Sequence, residues 1–446
     1  MELIAASREE LITLIEQQAR TISEQQALIE QLRVRVAELE AARGKPRGMP
    51  GNKLEPKKET GPKPERKKRE RNFVRQRATE PDERVIHAFD VCPGCGTGLA
   101  GGSIKRTREV IEVRPCPAVV IEHVYIERCC PICEQRYTPQ AELEGVVVGQ
   151  SRLGVALVAL IACLREVGRL PIATIQWYLE AFHGLHMSVG AIVGALHSVA
   201  SRGQGQVEQT LAAVRASPFI NADETGWREN GQNGYAWVYS APGWRYFVRG
   251  GRDKGVVERV LGGEFRGVLV CDFYAAYDAY RGPIQRCWVH LLRDIREVVE
   301  LHPDDVTVAS WAEAVRKVYD QAKNFDAAVH HEEHRYKQHW WLREALLEVC
   351  RPYLHEQSGR GKLCRRIERY IHQLFVFVLY PGVPSENNAA ERDLRPLVTA
   401  RKVSAGTRSE AGSQTKMQLS TLLRTWVAQN LNPFHACLQL LKSPQA

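Results

Sequence analysis

The sequence has no run of about 18 or more apolar residues, so it offers no helix fit to cross a membrane. Its longest apolar stretch, Leu153 to Leu164, runs into Arg165 and Glu166, which suits a buried helix. It lacks a secretory opening: Glu2 and a charged helical stretch come first, which excludes a signal peptide and makes the cytosol the expected compartment. Internal repeats are absent. Also missing is the spread of cysteines that a disulfide framework needs. Of 12 cysteines, six crowd between Cys92 and Cys133 and six are scattered, which reads as one metal site plus ordinary buried thiols. Finally, there is no general excess of one charge. The formal charge is +9, but residues 43–77 hold 14 Lys/Arg against 4 Asp/Glu, and the remainder nets −1.

The chain does have length and apolar content. Its 446 residues, 44% hydrophobic, allow roughly two to four domains and a sizeable core. Residues 11–39 carry a heptad pattern: Ile15, Ile22, Ile29 and Val36 on one seam, Leu11, Leu32 and Leu39 on the other, with Gln18 and Gln25 interrupting it. β-Branched residues on the first seam and Leu on the second favour a parallel dimer. A lone amphipathic helix packed on its own protein is the plainer alternative. The basic segment that follows is rich in Pro and Gly and cannot bury a core. It reads either as a solvated spacer or as a phosphate-binding arm, with Arg66, Lys67, Lys68 and Arg69 at its centre. The concentration of charge there favours the arm.

Cys92-Pro-Gly-Cys95 and Cys130-Pro-Ile-Cys133 are two C-x-x-C knuckles. Each places two thiolates on one side of a tight turn, and two such turns complete a tetrahedral zinc site. The alternating stretch between them reads as a hairpin that would bring the knuckles together. Four protein ligands leave no open position, so this zinc would be structural. Cys129 could replace Cys130 with a longer loop, and Cys116 has no partner spacing. Further on, Leu170-Pro171-Ile172 opens a helix, Gly184 breaks it and Ser188 caps the next. That pattern fits a helix-turn-helix or a plain helical bundle.

Two apolar strands end in acids: Phe219 to Asp223, and Gly267 to Asp272. Carboxylates buried together at strand ends repel one another unless a hard cation such as Mg²⁺ or Mn²⁺ compensates. Each Asp taken singly could instead cap a turn or a helix. A third acid, Glu391, lies in Asn387-Asn388-Ala-Ala-Glu391-Arg392. There a capping box from Asn388 to Glu391, with a Glu391–Arg395 pair, would explain a surface helix without any chemistry.

At these residues the chain resembles the IS66 family of bacterial insertion-sequence transposases. The likeness rests on the N-terminal coil, the basic linker, CPGCG and CCPIC, DETGW at 223–227, CDFYAAY at 271–277, CWVHLLRD at 287–294, NNAAER at 387–392, and RKV at 401–403 followed by Gly406. Their order matches as well. Where the family usually has Asp before the paired Asn, this chain has Glu386, a rival third acid. The stretch after Arg401 also departs from the family pattern.

The resemblance implies a multidomain α/β protein. Its parts are a coiled coil over 1–42, a basic linker over 43–84, a zinc ribbon over 85–147 and a helix-turn-helix-like domain over 148–215. An RNase H-like mixed-sheet catalytic domain follows over 216–410, with a helical insertion at 291–380, and a helical tail over 411–446. Asp223, Asp272 and Glu391 become the catalytic acids and the ligands of two Mg²⁺ or Mn²⁺ ions; Cys92, Cys95, Cys130 and Cys133 hold structural Zn²⁺. His290, Arg293, Arg392 and Arg395 join the basic arm as DNA contacts; the plainer role of His290 and Arg293 is fold support, and that of Arg392 and Arg395 is pairing with Glu391. Cys287-x-x-His290 is half of a zinc site with no second half evident in the sequence.

The implied reaction is strand cleavage followed by 3′-hydroxyl strand transfer. The implied partners are double-stranded DNA, a second copy through the coil, and small accessory transposition proteins, in a nucleoid-associated setting. Two other classes stay open: an inactive zinc-containing DNA-binding regulator, and an RNase H-like nuclease without strand transfer.

Overall fold

In the computed structural model the described residues are Gln18, Gln25, Gln26, Glu80, 82–108, 116–139, 143–149 and 151–443. The chain divides into two compact units, Met1–Ile111 and Glu112–Ala446. In the first, Gln18, Gln25 and Gln26 are helical and exposed; the rest of the heptad segment and the basic segment, with Arg66, Lys67, Lys68 and Arg69, lie outside the described residues. No helix among the described residues is long and apolar enough to cross a membrane.

The second unit begins with a small antiparallel ladder, β1 (Arg128–Cys129) with β2 (Arg136–Tyr137). Four helices follow: α1 (Val155–Glu166), α2 (Ile172–His183), α3 (Val189–Arg202) and α4 (Gln204–Arg215). Gly184 ends α2 at φ 62, a left-handed position that suits glycine, and Ser188 caps α3 by accepting the Ala191 N–H at 3.1 Å. The alternation read as a hairpin before β1 forms no strand over the described residues 116–127. Val119, Val120 and Ile121 are exposed there, so the pattern meets no apolar face to pair against.

The centre is a five-stranded sheet in the order β5-β4-β3-β6-β7. β3 (Phe219–Gly226), β4 (Tyr235–Ala241) and β5 (Trp244–Gly250) form an antiparallel meander. Ala241 pairs with Trp244, so Pro242 and Gly243 make the turn, and Gly243 at φ 76 supplies the positive angle that a type II turn requires. The chain then crosses through α5 (Lys254–Leu261) to β6 (Val268–Cys271), which lies parallel to β3. β6 is buried throughout, as a parallel strand covered on both faces should be. A short 3₁₀ turn, Ala275–Ala279, leads to β7 (Ile284–Arg286), parallel to β6.

Helices α6 (Trp288–Leu301), α7 (Val306–Lys323), α8 (Glu332–Cys350), α9 (Gly359–Leu374) and α10 (Val376–Leu379) build a core that takes in Val268 and Val270 of β6, and in it Trp288, Leu291, Ile295 and Val298 form the inward stripe of α6. Helix α11 (Asn388–Ser404) then returns to the sheet with Ala390, Leu394, Leu397 and Ala400 against Trp227, Val238 and Phe247.

The last two helices, α12 (Glu410–Ala428) and α13 (Pro433–Lys442), share one core with α1 to α4. α12 also covers the edge strand β5. The Phe247 and Arg245 N–H groups donate to the Thr421 and Thr425 hydroxyls at 2.9 and 3.0 Å, so the free edge of the sheet is satisfied by side chains. A buried Lys416–Glu166 pair at 2.8 Å ties α12 to α1.

Candidate active site

Strand β3 sets the geometry. Its period of two puts Ile220, Ala222 and Glu224 on the face covered by α5, and Asn221 and Asp223 on the face covered by α11. The Asn387 side chain donates to the Ala222 carbonyl at 2.7 Å and accepts from the Asn221 side chain at 3.1 Å. At the far end, Arg401 donates to the Gly226 carbonyl at 2.7 Å. Strand and helix therefore run side by side in the same direction. From Asn221, two residues along the strand advance about 6.6 Å to Asp223. From Asn387, four residues along the helix advance about 6 Å to Glu391. The asparagine pair thus fixes a register that carries Glu391 toward Asp223. The end of α11 is held as firmly. At Gly406, with φ 116, a Cβ would stand 2.1 Å from the Arg228 carbonyl oxygen, so only glycine fits.

The second acid follows β6 directly. Asp272 accepts the Tyr274 N–H at 2.9 Å, closing the turn into the 3₁₀ segment, and it lines an open cleft. Its backbone is anchored by Arg286. This wholly buried guanidinium donates to the Asp272 carbonyl at 2.6 Å and to Gln373 at 2.7 Å, and it pairs with Asp278. Arg286 also lies over the Tyr370 ring at 4.8 Å.

The acids feel one another. Burial and the like charges of Glu224, Asp272 and Glu391 push the Asp223 carboxyl up to about 8. Glu224 is a fourth acid that the sequence reading did not single out. Its side chain is 3% exposed and accepts from Tyr277 at 2.8 Å and from Arg252 at 3.1 Å. Burial, then the Asp272 charge, raises its pKa, while Tyr277 and Arg252 oppose the rise. Glu391 is among the charges that raise the Asp223 pKa, and the charge of Glu386, the rival third acid, acts on the phenol of Tyr319. A buried cluster of like-charged oxygens in which the neutral form of Asp223 is favoured is a donor set matched to a hard divalent cation.

Glu391 is itself part of another group. His290 Nε2 stands 3.7 Å from Glu391 Oε1, and the donor atoms of Cys287, His290 and Glu391 all lie within 4.8 Å of one another. Asp223 and Asp272 stand outside that set. The Glu391–Arg395 pairing expected from spacing is not how Glu391 is partnered, and Arg395 is exposed along with Arg293 and Arg392.

The cleft beside Asp272, about 580 Å³, is walled by Arg252, Phe273, Tyr274, His290, Asp294, Arg365, Arg366, Arg369 and Tyr370. Arg366 pairs with Asp294 and Arg365 holds the Glu356 carbonyl, while Arg369 meets the Tyr370 ring at 5.2 Å. Sequence spacing gave no sign of these arginines, because α9 reaches the cleft only through the packing of the helical segment.

With this geometry in place, comparison with known families is decisive: the Transposase IS66 family matches residues 150–415, more than half of the chain. The chain belongs to the IS66 transposase family. Its curated relatives include two from Sinorhizobium fredii (strain NBRC 101917 / NGR234). The uncharacterized protein y4qI is 26% identical over 266 residues, covering 52% of this chain and 48% of its own length. The uncharacterized protein y4jO is 35% identical over 74 residues, covering 17% of this chain and 23% of its own length. The chain therefore spans about half the length of the first relative and under a quarter of the second.

The IS66 match contains all three acids and the cleft. The cysteine knuckles precede it, with Cys92 and Cys95 in the first unit and Cys130 and Cys133 in the second. Each knuckle can be described by itself, and the two are built alike. Cys92 N–H donates to Thr97 and Gly96 N–H to Cys92, both at 2.8 Å; Cys130 N–H donates to Gln135 and Glu134 N–H to Cys130, both at 2.9 Å. The residues flanking the turn pair in the same register, Val91 with Gly98 and Cys129 with Arg136. Gly96 and Glu134 both take positive φ, 76 and 54. This register gives Cys130 the place that Cys92 has and leaves Cys129 in the flanking strand. Hydrogen bonds to the sulfur lower the pKa of Cys95 and of Cys130.

Proposed function

We propose that the chain is a DNA transposase that cleaves and joins phosphodiester bonds at Asp223, Asp272 and Glu391, on an RNase H-like core. The carrying observation is where these acids lie in the fold. One lies in the central strand, one follows the adjacent parallel strand, and one sits on a helix locked to the first strand through Asn221 and Asn387. The strand order β5-β4-β3-β6-β7, with β3 antiparallel to β4 and parallel to β6, supports the core assignment.

Asp223 and Asp272 would hold magnesium or manganese, with Glu391 completing the set. When bound, the metal supplies Lewis-acid chemistry that lowers the pKa of an attacking hydroxyl and stabilises the leaving oxygen. The chain's own residues do the rest. Arg252, Arg365, Arg366 and Arg369 bind backbone phosphates in the cleft beside Asp272, and Phe273 and Tyr370 offer rings for an unpaired base. Arg293, Arg392 and Arg395 extend the phosphate contacts. Water attack first frees a 3′-hydroxyl at the transposon end, and that hydroxyl then attacks target DNA.

Outside the core, Cys92 and Cys95, and Cys130 and Cys133, are ligands for structural zinc, residues 43–77 grip DNA through counterion release, and residues 1–42 pair copies of the chain. The helical domain at 148–215 contributes to end binding, and residues 291–380 are a helical insertion in the catalytic domain. The test uses transposon-end DNA with Mg²⁺ or Mn²⁺. Asp223→Asn and Asp272→Asn should each abolish nicking and transfer of a pre-cut 3′ end while DNA binding persists. Cleavage retained in both variants overturns the assignment.

A further inference from the structure

We propose that Cys287, His290 and Glu391 form a second metal site, selective for a divalent ion of the zinc class, which shares Glu391 with the acid cluster. The Cys-x-x-His spacing supplies the first half: Cys287 is the N-cap of α6, and His290 follows in its first turn. Glu391, in the first turn of α11, supplies the second half, which the sequence could not reveal because it lies about a hundred residues downstream. The three donor atoms lie within 4.8 Å of one another.

Two independent features point to a ligand. Glu391 Oε1, the oxygen nearest His290 Nε2, is buried and has no hydrogen-bond partner, an unfavourable state that a bound cation would relieve. The sulfur is also prepared for metal. Cys287 Sγ accepts the Asn387 N–H at 3.1 Å, and it sits at the N-terminus of a 14-residue helix. Backbone amides and a helix N-terminus stabilise a thiolate, as they do around metal-bound cysteines.

The donor set determines the ion. Sulfur, imidazole nitrogen and carboxylate oxygen together suit Zn²⁺, Co²⁺ or Fe²⁺, whereas Mg²⁺ seeks oxygen alone. Three protein ligands leave one position open, so this ion would exchange more readily than one held by four cysteines. Because Glu391 belongs to the Cys–His group and its charge also acts on Asp223, occupancy of one site changes the other. The site stands on its own geometry and does not require the transposase reading.

The test is metal content of the full-length chain, stripped with chelator and reloaded with Zn²⁺ or Co²⁺. His290→Ala and Cys287→Ser should each hold one equivalent less zinc than wild type, and the Cys287→Ser cobalt spectrum should lose thiolate charge-transfer intensity. Asp223→Asn should keep the full zinc content. If Cys287→Ser fails to fold, His290→Ala at its partly exposed position answers alone. Equal zinc content in wild type and His290→Ala, or zinc lost with Asp223→Asn instead, overturns the site. Zinc loss that tracks Cys287 and His290, in a protein that does not cleave DNA, overturns the proposed function and leaves this site standing.

Discussion

Asp223 holds its carboxyl where a negative charge is disfavoured, and the consequence is measurable without any substrate. Its pKa is pushed up to about 8 by burial and by the neighbouring acids, against an unfolded value near 3.9. Between those values the native chain binds more protons than the unfolded one. The stability contributed by this group is therefore complete below the unfolded pKa and is lost as pH rises through about 8. Asp223→Asn removes the titration. In metal-free protein the variant should melt above wild type at pH 8, with the gap closing toward acid pH, and added Mg²⁺ or Mn²⁺ should raise wild type more than the variant. Thermal melts across pH check this, and a variant that melts below wild type at alkaline pH contradicts it. Arg286 behaves in the opposite way. Its buried guanidinium holds the Asp272 carbonyl, Gln373 and Asp278 together, so Arg286→Met should cost about 3 kcal/mol in denaturant unfolding. A single Arg between Gln285 and Cys287 carries no local mark of burial, so a reading of spacing passes over it.

At the scale of elements, the pairing of α11 with β3 decides whether three distant acids meet. Asp272 was legible in the sequence as the acid that ends an apolar strand, but Asp223 was misplaced by the same pattern: β3 runs on to Gly226 and Asp223 sits inside it, because the polar residues after it still pair with β4. Glu391 was legible only through family likeness, since local chemistry reads Asn388 and Glu391 as a capping box. The structure resolves this differently. Asn387 occupies the N-cap without any side-chain bond to the helix, and spends its amide on Ala222 and Asn221, more than 160 residues away. A long-range partner outcompetes the local one, and no windowed pattern can see it. Asn387→Ala removes two buried hydrogen bonds, to the Asn221 amide and to the Ala222 carbonyl, and leaves Asn221 with only the longer bond to the Glu386 carbonyl. The loss should be roughly 2–3 kcal/mol by urea unfolding, with strand cleavage falling further than stability explains, because Glu391 loses its register. Asn388→Ala, one residue along, should be nearly neutral. Equal losses at the two positions would show that the pair acts only as a helix cap.

At the scale of the molecule, the sequence suggested a short C-terminal tail, while α12 and α13 are central to the fold: they close the core of α1 to α4 and cover the edge of the sheet. Their helical character was expected from the sequence, but the surface they cover lies more than 170 residues upstream. The buried Lys416–Glu166 pair makes the connection testable. Lys416→Met leaves Glu166 buried and unpaired, at a cost of about 3–5 kcal/mol, and adding Glu166→Met should restore most of it. Charge is distributed at this scale as well. Outside residues 43–77 the chain nets −1, so long-range attraction to DNA must come from that segment, with the arginine cleft acting only at contact. Each phosphate neutralised steepens the fall of log affinity with log salt by about 0.9. Deleting residues 43–77 should therefore flatten the salt dependence of end-DNA binding by several such steps while cleavage at low salt persists. Fluorescence anisotropy titrations over a salt series measure the slope directly. An unchanged slope would move the phosphate contacts from the basic segment to the cleft walls, and Arg369→Ala would then become the variant that flattens it.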